Sequence, residues 1–440
     1  MTPTITQAAA AIREKKLTCT SLLQQCLDRI GKHEAAVRAW VLVASEEALE
    51  EARERDAELA RGLDRGLLHG IPVGIKDIID VFDWPTACGS RRWKEAHARH
   101  DAPAVQRLRD AGAVILGKTV TTQYASYDPP PTRNPWSFSR TPGGSSSGSA
   151  AAVAAGMCLA ALGTQTGGSI TRPASYCGTA AVKPSYLRVS TQGLLPLAHS
   201  MDHVGVLART VTDTAIVLQA ISDPPVDNWL AAMSGEIEAP VLGRPRGYFE
   251  QHASRPVLEM MDRACQRLAE AGARIEEVAL PASFANVVSL HRRVMAVEAA
   301  QYHQRRFRRH PEDYDPCFSA LLWEGIECSA PEYARAKEHQ ARLTEEMHEV
   351  LESIDALICP AATGPAPSAE TTGDPAFNVP WSFTGLPAVS FPVELADGLP
   401  VAVQLVGGPF EERAVFAAAA WCEEALAPSL GEPSELHRKG

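Results

Sequence analysis

The sequence predicts an α/β protein whose sheet is covered by helices on both faces. Three observations predict it. Short apolar stretches rich in β-branched residues and bounded by Gly and Pro recur along the chain, as in "HGIPVGIKDIID", "GAVILG", "LICPAA" and "PAVSFPVEL"; they read as buried strands. Helix-forming stretches alternate with them, the pattern of a layered α/β fold. No low-complexity tail, internal repeat or interdomain linker divides the chain. One large domain over 1–440 is therefore expected, although 440 residues would ordinarily suggest two. Within it, 1–65 reads as a helical N-terminal segment and 66–215 as the core that carries the motifs. Residues 216–350 read as a mostly helical insert, and 351–440 as the C-terminal part of the sheet.

The elements follow in order. "TQAAAAIREKK" is built of strong helix formers, "TSLLQQCLDRIGKHE" opens on capping residues, and "SEEALEEARERDAELARG" is a long charged helix stopped by glycine. "LLHGIPVGIKDIID" reads as a strand containing Lys76. "APAVQRLRDAGAVILGKT" reads as helix, turn and buried strand, with Gly117 and Lys118 in the turn after it. "AVAAGMCLAALGTQT" reads as helix then strand, the helix beginning near Ser149. "SRPVLEMMDRACQRLAEAGA" and "EYARAKEHQARLTEEMHEVLESI" are long helices of the insert, and "ALICPAA" and "PAVSFPVEL" are late strands. The basic run "RRFRR" at Arg305 to Arg309 reads as a solvated helix face.

Composition narrows the function. A hydrophobic share of 45% is enough for a large core. No window approaches the roughly 18 apolar residues of a membrane span, and no secretory leader is expected from "MTPTITQAAAAIREKK". Ten cysteines with no CxxC pair argue against structural zinc and a disulfide framework, and for a reducing, cytoplasmic setting. The net charge of -11 carries no electrostatic footprint for nucleic acid.

Two motif matches fail on context. "GAVILGKT" at Gly112 to Thr119 fits the P-loop pattern, which would make the chain a nucleotide-binding protein. A P-loop needs a strand before its first glycine, and here a helix precedes while Ala-Val-Ile-Leu wants to be the strand. Gly144 to Gly148 fits the G-x-S-x-G elbow of serine hydrolases, but proline-rich loop stands where that elbow needs a strand. His199 and His203 do not supply a recognisable late histidine for such a site.

A third constellation survives. "PGGSSSGSAAAVAAG" is a Gly/Ser loop running straight into a strong helix former, which makes it an ordered polar cradle rather than a linker. "GTQTGGSITRP" follows a strand and offers successive backbone N–H groups beside a serine, the donors an oxyanion needs. Lys76 lies in an apolar strand, as do Lys118 and Lys183, and the residues alone do not rank the three.

With "GIPVGIKD" upstream, "AVKPS" between, and "GLPAVSFPV" and "LPVAVQLVG" downstream, the chain resembles the amidase signature enzymes over most of its length. The resemblance implies a single α/β/α domain around a mixed sheet, and hydrolysis of an amide or carbamate C–N bond without metal or cofactor. It implies a triad of Ser169 as nucleophile, Ser145 as proton relay after a cis peptide, and Lys76 as base. It also implies an oxyanion hole of the Thr166, Gly167, Gly168 and Ser169 N–H groups. A serine hydroxyl needs an adjacent base, and burial makes a lysine neutral enough to be one. Asp77, next along the strand, should point to the opposite face and leave Lys76 to desolvation alone.

The chain departs from the usual motif at two positions. Gln165 stands where most members have Asp, and Arg172 falls one place later than the usual arginine, which Thr171 replaces. This pattern resembles malonamidase-like and related small-substrate bacterial amidases. It weighs against the alternative of a partner-dependent amidotransferase A-type subunit. Arg172 is expected to bind a substrate carboxylate or carbonyl, with Tyr127, Asp128 and Gln404 lining the pocket, while Phe377 and Trp381 read as core. The expected partner is a small-molecule amide or carbamate, with no nucleic acid and no membrane, and a homodimer left open.

Overall fold

A computed structural model describes residues 2–437 apart from 225, 227, 235 and 236. The N-terminal part holds α1 (Ile5–Arg13), α2 (Cys19–Val37), β1 (Trp40–Val43) and α3 (Ser45–Ala60). The motif region holds β2 (Pro72–Lys76), α4 (Pro103–Asp110), β3 (Val114–Thr119), α5 (Ser147–Ala154), β4 (Ala160–Gln165), α6 (Thr171–Cys177), β5 (Ala180–Lys183) and β6 (His203–Ala208). Then come α7 (Val211–Ile221), α8 (Trp229–Ala232), β7 (Val241–Pro245), α9 (Tyr248–His252), α10 (Arg255–Glu270) and β8 (Arg274–Val278). The remainder is α11 (Val287–Phe307), α12 (Pro316–Glu327), α13 (Ala330–Leu351), β9 (Ala356–Pro360), α14 (Val379–Phe383), β10 (Ala388–Ala396), β11 (Leu399–Val406) and α15 (Glu412–Leu426).

The strands form one sheet of eleven in the order β1-β3-β2-β4-β6-β5-β10-β11-β9-β7-β8. It is mixed: β2 runs parallel to β3 and β4, whereas β4 meets β6, and β10 meets β5 and β11, antiparallel. Burial explains the apolar strands. Every residue of β2, β3, β4, β5 and β6 is buried, as strands covered on both faces must be. The mostly helical insert also contributes β7 and β8, which extend the sheet at one edge.

Two local expectations are corrected. β3 runs through Gly117 and Lys118 to Thr119 because it is paired on both sides, to β1 and to β2, and that pairing overrides a glycine's turn preference. Lys118 is thereby carried into the interior, where its Nζ lies 3.0 Å from Asp77 Oδ1 with both side chains 1% exposed. α5 begins at Ser147, closer to Ser145 than its alanine run indicates.

The Asp77–Lys118 pair has a measurable consequence. Burial pushes the Asp77 carboxyl above its ordinary value, and Lys118 opposes that shift. Lys118→Met should strand a buried carboxylate and cost about 3–5 kcal/mol of stability at pH 7. With the folded pKa above the unfolded one, the penalty is absent below about pH 4 and grows as pH rises through the folded value. Urea denaturation at pH 4 and pH 7 checks this, and an equal loss at both would contradict it.

The chain leaves β2 to form β3 on one side and later returns to form β4 on the other. Crevices outside the carboxyl ends of strands at such a switch point are where α/β sheets place their chemistry. Lys76 ends β2 and Gln165 ends β4, so the fold delivers both motif regions to that position.

Candidate active site

Lys76 is fully buried, and its Nζ lies 2.7 Å from Ser145 Oγ, 2.7 Å from Thr164 Oγ1 and 3.4 Å from the Thr164 carbonyl. Burial drives its pKa well below the usual 10.5; Asp202 and Cys88 act the other way. Asp77, engaged with Lys118, does not contribute. A lysine in this state accepts a proton through a lone pair, and Ser145 is within reach to give one.

The Ser145 and Ser169 loops are joined through backbone. The Ser146 N–H donates to the Ser169 carbonyl at 3.2 Å. The Ser146 hydroxyl donates to the Thr164 carbonyl and accepts from the Thr164 N–H, each at 3.2 Å. Gly163 permits this approach, since a Cβ there would lie 2.9 Å from Ser146 Oγ. The Gly144–Ser145 peptide is cis, and its Gly144 carbonyl accepts from Arg172 Nη2 at 2.7 Å. Ser169 is 8% exposed, and its hydroxyl makes no hydrogen bond among the described residues.

Gln165, at the position where the family resemblance implies Asp, organises the loop. Its Oε1 accepts from the Ile170 and Thr171 N–H groups at 2.9 and 3.1 Å, and its Nε2 donates to Ser382 Oγ at 3.1 Å. An aspartate has no donor for Ser382 and a shorter reach. The N–H groups of Thr166, Gly167, Gly168 and Ser169 donate to no acceptor among the described residues. The loop is braced from outside by residues with no motif to flag them. Thr166 Oγ1 donates to Asp202, Asp202 also receives the Leu197 and Ala198 N–H groups, and His291 Nε2 lies 2.8 Å from the Thr166 carbonyl. Asp202, His291 and Ser382 are invisible to sequence reasoning as a group because they come from three separate parts of the chain.

The expected substrate contacts fare unevenly. Arg172 is 2% exposed, and beyond its bond to Gly144 its Nε and Nη1 have no hydrogen-bond partner. Burial pushes its pKa down, opposed by Tyr176, Tyr127 and Asp374. Tyr127 Oη donates to Met295 Sδ at 3.7 Å. Asp128 is corrected from a pocket residue to a helix cap: its two carboxylate oxygens accept from the Cys317 and Phe318 N–H groups at 2.9 and 3.0 Å, in the first turn of α12. Gln404 is fully buried, and its Nε2 ties β11 to the Pro360 and Phe377 carbonyls. Phe377 and Trp381 lie in an aromatic core cluster with Phe249.

Known proteins bear on this geometry. The model of the Amidase family matches residues 21–416. The A-type subunit of glutamyl-tRNA(Gln) amidotransferase from Oleidesulfovibrio alaskensis is 34% identical, covering 96% of this chain and 97% of its own. A solved structure of native peptide amidase from Stenotrophomonas maltophilia superposes with a TM-score of 0.87 at 29% identity, covering 98% of both chains. A structure described as a vestigial protein complex revealing the origins of an s-triazine catabolic enzyme reaches 0.91 at 29% identity, covering 96% of this chain and 98% of that one.

One expectation falls here. A free-standing enzyme meeting only a small-molecule amide or carbamate, without nucleic acid, does not fit relatives that share the name of an amidotransferase component. Net charge summed over a whole chain does not report which partners one face of it meets. The family itself is secure, for one model spans most of the chain and the mixed sheet superposes on solved amidases across nearly its whole length. The chain belongs to the amidase signature family.

Proposed function

We propose that the chain cleaves an amide or carbamate C–N bond through an acyl-enzyme on Ser169. The observation that carries this reading is the 2.7 Å contact between a buried lysine of lowered pKa and Ser145, whose loop is bonded to that of Ser169. Ser169 Oγ attacks the carbonyl carbon while Ser145 takes its proton and passes its own to the neutral Lys76 amine. The oxyanion falls among the free N–H groups of residues 166 to 169. The C–N bond breaks, the proton returns through Ser145 to the leaving nitrogen, and water then hydrolyses the ester to free Ser169. The ten cysteines, all unpaired, suit a reducing compartment, and we place the reaction in the cytoplasm.

The names of the relatives favour a second reading, in which the same cleavage is one component's share of an amidotransferase. Treating the isolated chain with a fluorophosphonate, locating the adduct by mass spectrometry, and assaying ammonia release from amides and carbamates separates the readings. Labelling at Ser169 with turnover supports the hydrolase. Labelling without turnover favours the amidotransferase component, and no adduct at Ser169 overturns both.

Arg172 bears on the substrate. Its two unpartnered, buried N–H-bearing nitrogens suit a substrate carboxylate or carbonyl. Arg172→Ala should raise KM for a carboxylate-bearing amide such as malonamate by about 1.5–3 kcal/mol more than for a neutral amide. Equal losses for both, with a lower melting temperature, would instead make Arg172 only the anchor of the Gly144 carbonyl.

A further inference from the structure

We infer that His291, on the helical insert, is a positioning residue of the oxyanion site: it holds the Thr166 carbonyl and so turns the Gly167 N–H toward Ser169. The inference rests on the reading of Ser169 as nucleophile.

In a trans peptide the C=O and N–H point in opposite directions, so what grips a carbonyl decides where the N–H across the same peptide faces. Each peptide unit that offers one of the four N–H groups has its carbonyl bonded. The Gln165 carbonyl lies 3.1 Å from His203 Nδ1 and the Thr166 carbonyl 2.8 Å from His291 Nε2. The Gly167 carbonyl accepts from Ser382 Oγ at 3.4 Å and the Gly168 carbonyl from the Arg172 N–H at 3.1 Å. The four N–H groups on the other sides of these peptides are the ones left without an acceptor among the described residues.

The His291 contact is the shortest of the four. The imidazole is 1% exposed, and burial pushes its pKa down to about 4, so it is neutral at neutral pH. A carbonyl only accepts, which puts the proton on Nε2. The ring is held against Phe383 with centroids 6.2 Å apart. Gly167 lies between α11 and α14: a Cβ there would lie 3.4 Å from His291 Cε1 and 3.7 Å from Val379 Cγ2. Were the Thr166–Gly167 peptide to flip, it would aim a carbonyl where an N–H is needed and leave the buried imidazole donor unpaired. The insert therefore orients a group of the reaction site although no insert residue is assigned to the triad.

The test is the rate at which a fluorophosphonate labels Ser169, since the phosphoryl oxygen gains charge in the same site. His291→Phe should slow labelling about 10- to 100-fold, less than the roughly 10²–10³-fold cost of removing an oxyanion donor outright, because the other carbonyls stay held. His291→Gln, which carries an N–H donor of similar reach, should restore the rate to within a few-fold of wild type. His303→Ala removes a second buried histidine of α11, one that contacts Tyr314 rather than the loop, and should lower the melting temperature while leaving the labelling rate of folded protein unchanged. If His291→Phe does not fold, His291→Asn, too short to reach Thr166, takes its place. Equal rates in wild type and His291→Phe (or Asn) would overturn the inference while leaving the nucleophile reading intact. A loss not rescued by Gln would also overturn it. Wild type left unlabelled at Ser169 would overturn the nucleophile reading and this inference together.

Discussion

Ser169→Ala is expected to abolish acyl-enzyme formation and to lower turnover by about 10⁶-fold, the scale seen when a serine nucleophile is removed. The Ser169 residue is 8% exposed, and its carbonyl accepts the Ser146 N–H that fixes its loop. Ser145→Ala should cost less, about 10²–10⁴-fold, because it removes proton assistance and leaves the attacking oxygen in place. Rapid-quench kinetics with a chromogenic anilide would read both, the burst reporting acylation. A Ser169→Ala protein that still shows a burst would sink the mechanism, and a Ser145→Ala protein with near-normal kcat would sink only the relay.

Lys76→Ala should remove most activity and, with it, the pH dependence of what remains. The sign follows from burial. Desolvation penalises the ammonium, so the folded pKa lies well below 10.5 and the neutral amine accumulates as pH rises through that lowered value. In wild type kcat/KM should therefore climb through one ionisation that lies well below the ordinary lysine value and then level off. Lys183 is the sharp control. Burial also pulls its pKa down, to about 7, yet its Nζ is bonded to the Pro184 carbonyl at 2.9 Å and to neither serine. Lys183→Met should keep the midpoint of the limb. A wild-type profile with no ionising limb at any pH below the ordinary lysine value, with chemistry limiting, would rule out Lys76 as the titrating group.

The contrast among the three lysines marks how far the sequence is legible. Lys76, Lys118 and Lys183 all lie in apolar strands, and periodicity treats them alike. Only their partners tell them apart: Ser145 and Asp77 from other parts of the chain for Lys76 and Lys118, and merely the adjacent Pro184 carbonyl for Lys183. The strands themselves are readable because burial on both faces demands apolar residues throughout, and the cis Gly144–Ser145 bond follows from the motif resemblance. Element ends are less so. α2 starts at Cys19 because Thr18, outside the stretch that reads as its opening, accepts from the Ser21 N–H. Asp128 resembles a pocket residue in a proline-rich loop until α12, nearly two hundred residues on, needs its cap. Separation along the chain also hides His291: a single histidine on a helix has no sequence mark that it will meet Thr166.

Ser146 has a consequence for how such an enzyme diversifies. It ties the Ser145 loop, the Ser169 loop and β4 into one hydrogen-bonded body, so the separation of the two serines depends on backbone rather than on the side chains that line the pocket. A substitution on a pocket-facing side chain would then leave the spacing of the two serines in place. The fold that holds this body superposes at 29% identity on solved structures described as a peptide amidase and as a complex revealing the origins of an s-triazine catabolic enzyme. Ser146 thus holds Ser145 and Ser169 at a fixed spacing through backbone and β4 alone.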